Sequence, residues 1–123
     1  MTVSGIDHIV LNVADAEASV TWYGEMFGLG AERLDQWRAG DVPFVSLRVS
    51  EHVLIDLLET PVTGTNMDHV ALVTDRATFD AFVADHGDLI EMGPASLFGA
   101  RGQGDGVYLR DPDGHRVELR TYG

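Results

Sequence analysis

The sequence predicts an α+β fold made of two βαβββ modules in tandem, their strands forming a cupped mixed sheet around a cleft. Two observations carry this: a short theme occurs once in each half of the chain, and the same order of strand and helix signals follows each occurrence. Asp7-His8-Ile9-Val10-Leu11 recurs as Asp68-His69-Val70-Ala71-Leu72, with the two histidines 61 positions apart. Val45-Ser46-Leu47-Arg48 and Val107-Tyr108-Leu109-Arg110 correspond at an offset of 62, which also carries Ile55-Asp56-Leu57 onto Val117-Glu118-Leu119. Well-separated matches in one register are hard to obtain by chance.

The first strand, Ile6 to Val13, alternates with period two: Ile9, Leu11 and Val13 form a core face, and His8, Val10 and Asn12 form the other. Asp15 fits an N-cap, Ala16, Val20, Tyr23 and Phe27 recur at helical spacing, and Gly28 and Gly30 end the helix. Strand-like segments follow near Gly30 to Trp37, Pro43 to Val49 and His52 to Glu59. The turn-rich stretch Pro61 to Asn66 joins the halves.

The second module repeats this order, with Asp75 as cap, Phe79, Phe82 and Val83 as the apolar stripe, and Gly87 as terminator. Its later strands are expected near Leu89 to Met92, Gly106 to Arg110 and Arg116 to Tyr122. The last two are joined by Asp111-Pro112-Asp113-Gly114, where Pro sets the first corner and Gly tolerates a positive φ. Gly99 to Gly106 holds four glycines in eight residues and is expected to be a mobile loop or lid. These glycines neither follow a clear strand nor open a helix, so they do not read as a phosphate cradle.

At 123 residues the chain suits one domain, 1–123, with module one at about 5–60 and module two at about 66–122. A net charge of −12 argues against nucleic acid and anionic membranes as partners. All 8 basic residues are Arg, which excludes lysine Schiff-base chemistry, and the absence of Cys removes disulfides, thiolate ligands and a cysteine nucleophile. No basic n-region precedes an apolar run at the N-terminus and no stretch suits a membrane span, so the expected compartment is the cytoplasm.

The repeat also relates chemistry-bearing residues. His8 and His69 hold equivalent places on first strands, and Asp56 and Glu118 hold equivalent places on last strands. If the modules pack with concave faces together, two imidazoles and two carboxylates enter one cleft. Nitrogen and oxygen donors without sulfur suit one divalent ion of Fe, Mn, Ni, Co or Zn, with positions left open for substrate. Asp56 is one methylene shorter than Glu118, which suits a water-mediated ligand or a base beside the ion. The competing partners for Glu118 are Arg116 and Arg120 on the same strand face. His52, at a strand start, His86, at a helix end, and His115, after the closing turn, read as structural.

Ile6-Asp7-His8-Ile9-Val10-Leu11-Asn12-Val13, then Trp22-Tyr23, then the Asp68-His69 strand, and finally Val107 to Leu119 with Asp-Pro-Asp-Gly-His and the later Glu118 carry a resemblance over nearly the whole chain. The sequence resembles the vicinal oxygen chelate superfamily of glyoxalases, fosfomycin-resistance proteins and extradiol dioxygenases. That resemblance implies His8, His69 and Glu118 as metal ligands, with Asp56 where glyoxalase I carries a further glutamate. It sets Tyr108 against a tyrosine lining the substrate cavity of fosfomycin-resistance enzymes. It also implies a homodimer, in which halves can be exchanged between chains.

Departures narrow the choice. Asn12 stands where glyoxalase I enzymes often carry a glutathione-holding arginine, and Val10 stands where glutathione-type fosfomycin-resistance enzymes carry a threonine. Those enzymes also use a lysine, and this chain has none. Bleomycin-binding members lack the metal ligands altogether. The expected function is a metal-dependent enzyme binding a small oxygenated substrate bidentately, of lyase or isomerase type, with Asp56, Glu118 and Tyr108 as catalytic residues. The alternatives are an Fe(II) extradiol-type dioxygenase using His8, His69 and Glu118, and a non-catalytic small-molecule binding or resistance protein with Trp37, Phe44 and Tyr108 as walls.

Overall fold

The computed structural model describes residues 1–3, 5–65 and 67–123. The chain divides into two compact units, Met1–Gly64 and Thr65–Gly123, each holding one copy of the repeat. The division falls within the expected joint, of which Asn66 lies outside the described residues. Among the described residues no helix is long and apolar enough to cross a membrane.

The first unit runs β1 (His8–Val13), α1 (Ala16–Phe27), β2 (Gly30–Glu32), α2 (Leu34–Arg38), β3 (Val45–Ser50) and β4 (Val53–Glu59). Its sheet has the order β1-β4-β3-β2, with β1 parallel to β4 and the other pairs antiparallel. Asp15 caps α1 by accepting the Ala18 amide at 3.0 Å, and Gly28 closes the helix at φ 67°, a conformation that glycine adopts without penalty. Leu11, Val13, Tyr23, Val45, Leu47, Ile55 and Leu57 are buried as the core of this unit. Each such side chain contributes about 1.5–3 kcal/mol relative to exposure.

The strand expected over Gly30 to Trp37 is corrected: it stops at Glu32 and a short helix follows. Arg33 takes a left-handed conformation, φ 65°, which turns the chain out of the sheet. Leu34 and Trp37, three apart, are the half-buried residues of α2, whereas Asp35, Gln36 and Arg38 face solvent. That is a helical stripe, and over five residues it is hard to tell from strand alternation. Arg38 pairs with Glu17 of α1 and so ties the insert down.

The second unit runs β5 (Val70–Val73), α3 (Arg76–His86), a single 3₁₀ turn (Gly87–Leu89), β6 (Met92–Gly99), β7 (Gly102–Arg110) and β8 (Arg116–Thr121). Its order, β5-β8-β7-β6 with β5 parallel to β8, repeats the first sheet. Asp75 accepts the Thr78 amide at 2.8 Å; Phe79 and Phe82 of α3 are buried, as are Val107, Leu109, Val117 and Leu119 of the sheet, and α3 packs on β8. Gly87 continues the chain in right-handed conformation into the 3₁₀ turn, so it does not end the helix as a left-handed cap. In the β7–β8 turn the buried Asp111 carboxylate accepts the amides of Asp113 and His115, and Gly114 sits at φ 83°.

The glycine-rich segment is the second correction. The strand expected at Leu89 to Met92 begins only at Met92, and the expected loop Gly99 to Gly106 lies in the β6–β7 hairpin, with Gly99 opposite Gly102 and Leu97 opposite Gly104. These glycines keep the strand surface bare. A Cβ on Gly104 would come within 2.5 Å of the Thr121 carbonyl oxygen, and one on Gly99 would overlap the guanidinium of Arg120. Gly104→Ala is therefore expected to destabilise the fold by about 1–3 kcal/mol. Gly30→Ala, where an added Cβ meets nothing within 4 Å, is expected to stay within about 0.5 kcal/mol of the parent. Urea unfolding monitored by circular dichroism compares the two.

Candidate functional site

Strand pairing sets the site in each unit. Val10 of β1 lies opposite Asp56 of β4, and Ala71 of β5 lies opposite Glu118 of β8. Residues opposite one another share a face, and the period of two puts His8 on the same face as Val10. His69 stands in the same relation to Ala71, just ahead of β5. On the other flank, Ser46 lies opposite Asp56 and Tyr108 lies opposite Glu118. The offset in sequence is thus an equivalence of register.

In the first unit the His8 imidazole has Nδ1 2.7 Å from Asp7 Oδ2 and Nε2 3.9 Å from Asp56 Oδ2. The imidazole is 46% exposed, whereas the Asp56 side chain is only 4% exposed. A buried carboxylate is costly unless it accepts hydrogen bonds. Asp56 Oδ1 accepts from Ser46 Oγ at 2.6 Å, and Ser46 Oγ in turn accepts from Arg33 Nη1 at 3.0 Å. One oxygen of Asp56 is anchored, and the other is directed toward His8.

The second unit repeats the device with different parts. His69 Nδ1 lies 2.7 Å from Asp68 Oδ1, and Nε2 lies 3.3 Å from Oε1 of Glu118, whose side chain is 3% exposed. Glu118 Oε2 accepts from Arg120 Nη1 at 2.7 Å. Tyr108 lies opposite Glu118 in the β7–β8 register and stands edge-on to His69, with ring centroids 5.2 Å apart. Of the two competing arginines, Arg120 does take Glu118. Arg116 instead lies 4.0 Å over the Tyr108 ring, with Nε 3.7 Å from Glu91 Oε1.

The local charges follow these contacts. The hydrogen bond that the ring donates to the Asp7 carboxylate is the main influence holding the His8 imidazole above its ordinary pKa, opposed by partial desolvation and assisted by Asp56. The bond to His69 holds Asp68 below the usual carboxylate range. Burial first, and then Glu118, push the Tyr108 phenol above its ordinary value, so Tyr108 is a protonated donor at neutral pH. In both units the aspartate before the histidine occupies Nδ1, which leaves Nε2 toward the buried carboxylate.

The structure therefore brings His8 together with Asp56, and His69 together with Glu118 and Tyr108. Among the described residues no group of three or more His, Asp or Glu side chains is gathered as a metal would need; the donors come as one pair per unit. Imidazole nitrogen and carboxylate oxygen, with no cysteine in the chain, fit a borderline divalent ion. Trp37 and Phe44 are half-buried in the first unit. His86 stacks on Phe82 and His52 lies exposed beside Glu51.

Sequence reasoning gave no role to Asp7, Asp68, Ser46 and Arg33. The signal for the two aspartates was present, since each directly precedes a repeated histidine. Ser46 could have been found only from the register that sets it against Asp56.

The sequence profile of the Glyoxalase/Bleomycin resistance protein/Dioxygenase superfamily matches residues 5–119. A virulence protein of Salmonella typhimurium is 28% identical over 127 residues, covering 99% of this chain and 87% of that protein. The metallothiol transferase FosB of Shouchella clausii is 30% identical over 128 residues, covering 97% of this chain and 81% of the transferase. Among solved structures, a glyoxalase/dioxygenase from Nostoc punctiforme superposes with a TM-score of 0.76 at 28% identity, covering 97% of this chain and 91% of that one. A match that runs from before the first histidine to just past Glu118 takes in both modules, and the chain belongs to the Glyoxalase/Bleomycin resistance protein/Dioxygenase superfamily.

Proposed function

We propose that the protein is a metal-dependent enzyme of lyase or isomerase type, in which His8, His69, Glu118 and Asp56 hold one divalent ion and residues 1–123 act as one domain. The observation that supports this reading is the repeated pair. In each unit an imidazole, held at Nδ1 by the preceding aspartate, turns Nε2 toward a buried carboxylate whose other oxygen is already anchored. Two carboxylates kept from water with one oxygen each left toward a histidine are an expensive arrangement for structure alone.

A divalent ion in such a donor set acts as a Lewis acid on a substrate that offers it two oxygens. The chain's own groups supply the rest. Asp56 Oδ2 is left free by Ser46, which ties only the other oxygen; it would either meet the ion through water or take a proton from carbon beside a carbonyl, and in the second role it stands beside the ion and not on it. Tyr108, protonated at neutral pH, stands beside Glu118 as a hydrogen-bond donor. A cavity of about 290 Å³ in the second unit is lined by His69, Glu118 and Arg120 at its polar side and by Ala71 and Val73 at its apolar side, which suits a small oxygenated molecule. Asp56 lies toward His8 as Glu118 lies toward His69, and a second buried carboxylate of this kind supports proton transfer over ring-cleaving oxygenation.

The purified protein is expected to carry a divalent metal by elemental analysis. His8→Ala and Glu118→Ala are each expected to weaken its binding by at least about 100-fold, more than the loss of a supporting residue would. Wild-type metal content in both variants would overturn the reading. Removal of the metal by a chelator is expected to lower Tm, with recovery when the ion is restored.

The hydrogen bond between Asp7 and His8 generates a separate expectation. In the metal-free protein the His8 imidazole should titrate above its ordinary value, and Asp7→Asn should move that titration down. Histidine ring resonances followed by NMR across the neutral range check this, and an unmoved midpoint refutes it.

A further inference from the structure

We propose that Arg120 is a positioning residue which restricts Glu118 to one free oxygen, Oε1, for the metal. The inference rests on the metal-dependent reading above and adds a residue to it. The Arg120 side chain is 5% exposed and its guanidinium is held on three sides: Nη1 donates to Glu118 Oε2 at 2.7 Å and to the Phe98 carbonyl at 3.3 Å, and Nη2 donates to the Leu97 carbonyl at 2.9 Å. Tyr122 adds a face, its ring centroid 4.7 Å from Cζ.

The slot exists because side chains are missing from it. A Cβ on Gly99 would overlap Cζ and lie 2.5 Å from Nη2, and a Cβ on Gly104 would lie 3.0 Å from Nη2. A Cβ on Gly106 would press on the Leu97 side chain, 2.7 Å from Cδ1, while meeting Glu118 only at ordinary contact distance. Gly99 and Gly104, in the segment expected to be a loop, therefore make room for the guanidinium. The position equivalent to Arg120 in the first unit is Leu58, and there Asp56 is anchored by the smaller Ser46 hydroxyl.

A buried guanidinium with two of its donors on main-chain carbonyls does not follow Glu118 if the carboxylate rotates. It thus holds Oε2 back, so that only Oε1 would be available to an ion. Substituting Arg120 should free the carboxylate and loosen the site without removing any metal ligand.

The test is titration of metal-free protein with Co(II), whose visible absorption reports coordination number, in wild type, Arg120→Met, Arg120→Lys, Gly99→Ala and Glu118→Ala. Arg120→Lys keeps a charge near Glu118 but cannot span it and both carbonyls, whereas Gly99→Ala keeps the arginine but fills its slot and pushes the guanidinium off Glu118. Arg120→Met and Gly99→Ala are expected to bind Co(II) about 10- to 100-fold more weakly with a changed spectrum, and Arg120→Lys is expected to show a smaller loss. If Arg120→Met fails to fold by circular dichroism, the other two variants decide. Wild-type affinity and spectrum in folded Arg120→Lys and Gly99→Ala, with binding lost in Glu118→Ala, would overturn the role of Arg120 alone. Equal binding by wild type and Glu118→Ala, or no binding by wild type, would overturn the metal reading and this inference with it.

Discussion

In each unit the first strand runs parallel beside the last, and the rest of the arrangement depends on that pairing. It sets Val10 against Asp56 and Ala71 against Glu118, and so brings a histidine near the start of one strand to a carboxylate in the middle of another. A slip of one residue would turn each carboxylate to the helix-covered face, where an ionised group has no partner. The register is held by the opposite faces: Leu11 and Val13 on β1 and Ile55 and Leu57 on β4 are buried, as are Val117 and Leu119 on β8. Hydrophobic alternation on one side of the sheet thereby fixes the polar chemistry on the other.

The two pairs share a logic but differ in how the carboxylate is anchored. Asp56, with the shorter side chain, is held by a hydroxyl from the neighbouring strand, and the hydroxyl is itself held by Arg33. Glu118 is held by a charged group from its own strand, which also grips two carbonyls of β6. The second anchor is electrostatically stronger and sterically more demanding, and it needs a strand without side chains beside it. One consequence is that the glycine content falls unequally on the two modules although their order of strands is the same.

Much of the fold was legible because its signals are local. Asp15 and Asp75 each have a helical stripe behind them, and each is found capping its helix. The Asp111-Pro112-Asp113-Gly114 turn carries its geometry in its own residues, and Gly114 takes the positive φ expected of it. The misreadings arose where two periods or two uses of one residue compete. Leu34 and Trp37 satisfy a helical spacing within a stretch that also alternates, and only the left-handed turn at Arg33 decides between them. Glycines at 99, 102, 104 and 106 look like a loop in isolation, because what Gly99 and Gly104 leave space for comes from β8.

The sequence by itself determined the repeat, the two histidines, the two carboxylates and their equivalence, since these follow from the order of residues and from short-range periodicity. Only the tertiary structure decided which oxygen of each carboxylate is anchored, by what, and which ring nitrogen faces it. Arg120 meets the carbonyls of Leu97 and Phe98 across more than 20 residues of chain, a contact created by the β6–β7–β8 sheet and not by any pattern in the segment that contains it. Alternation can place a side chain on a face. The neighbouring strands choose its partner, because that partner is brought by pairings far away in sequence.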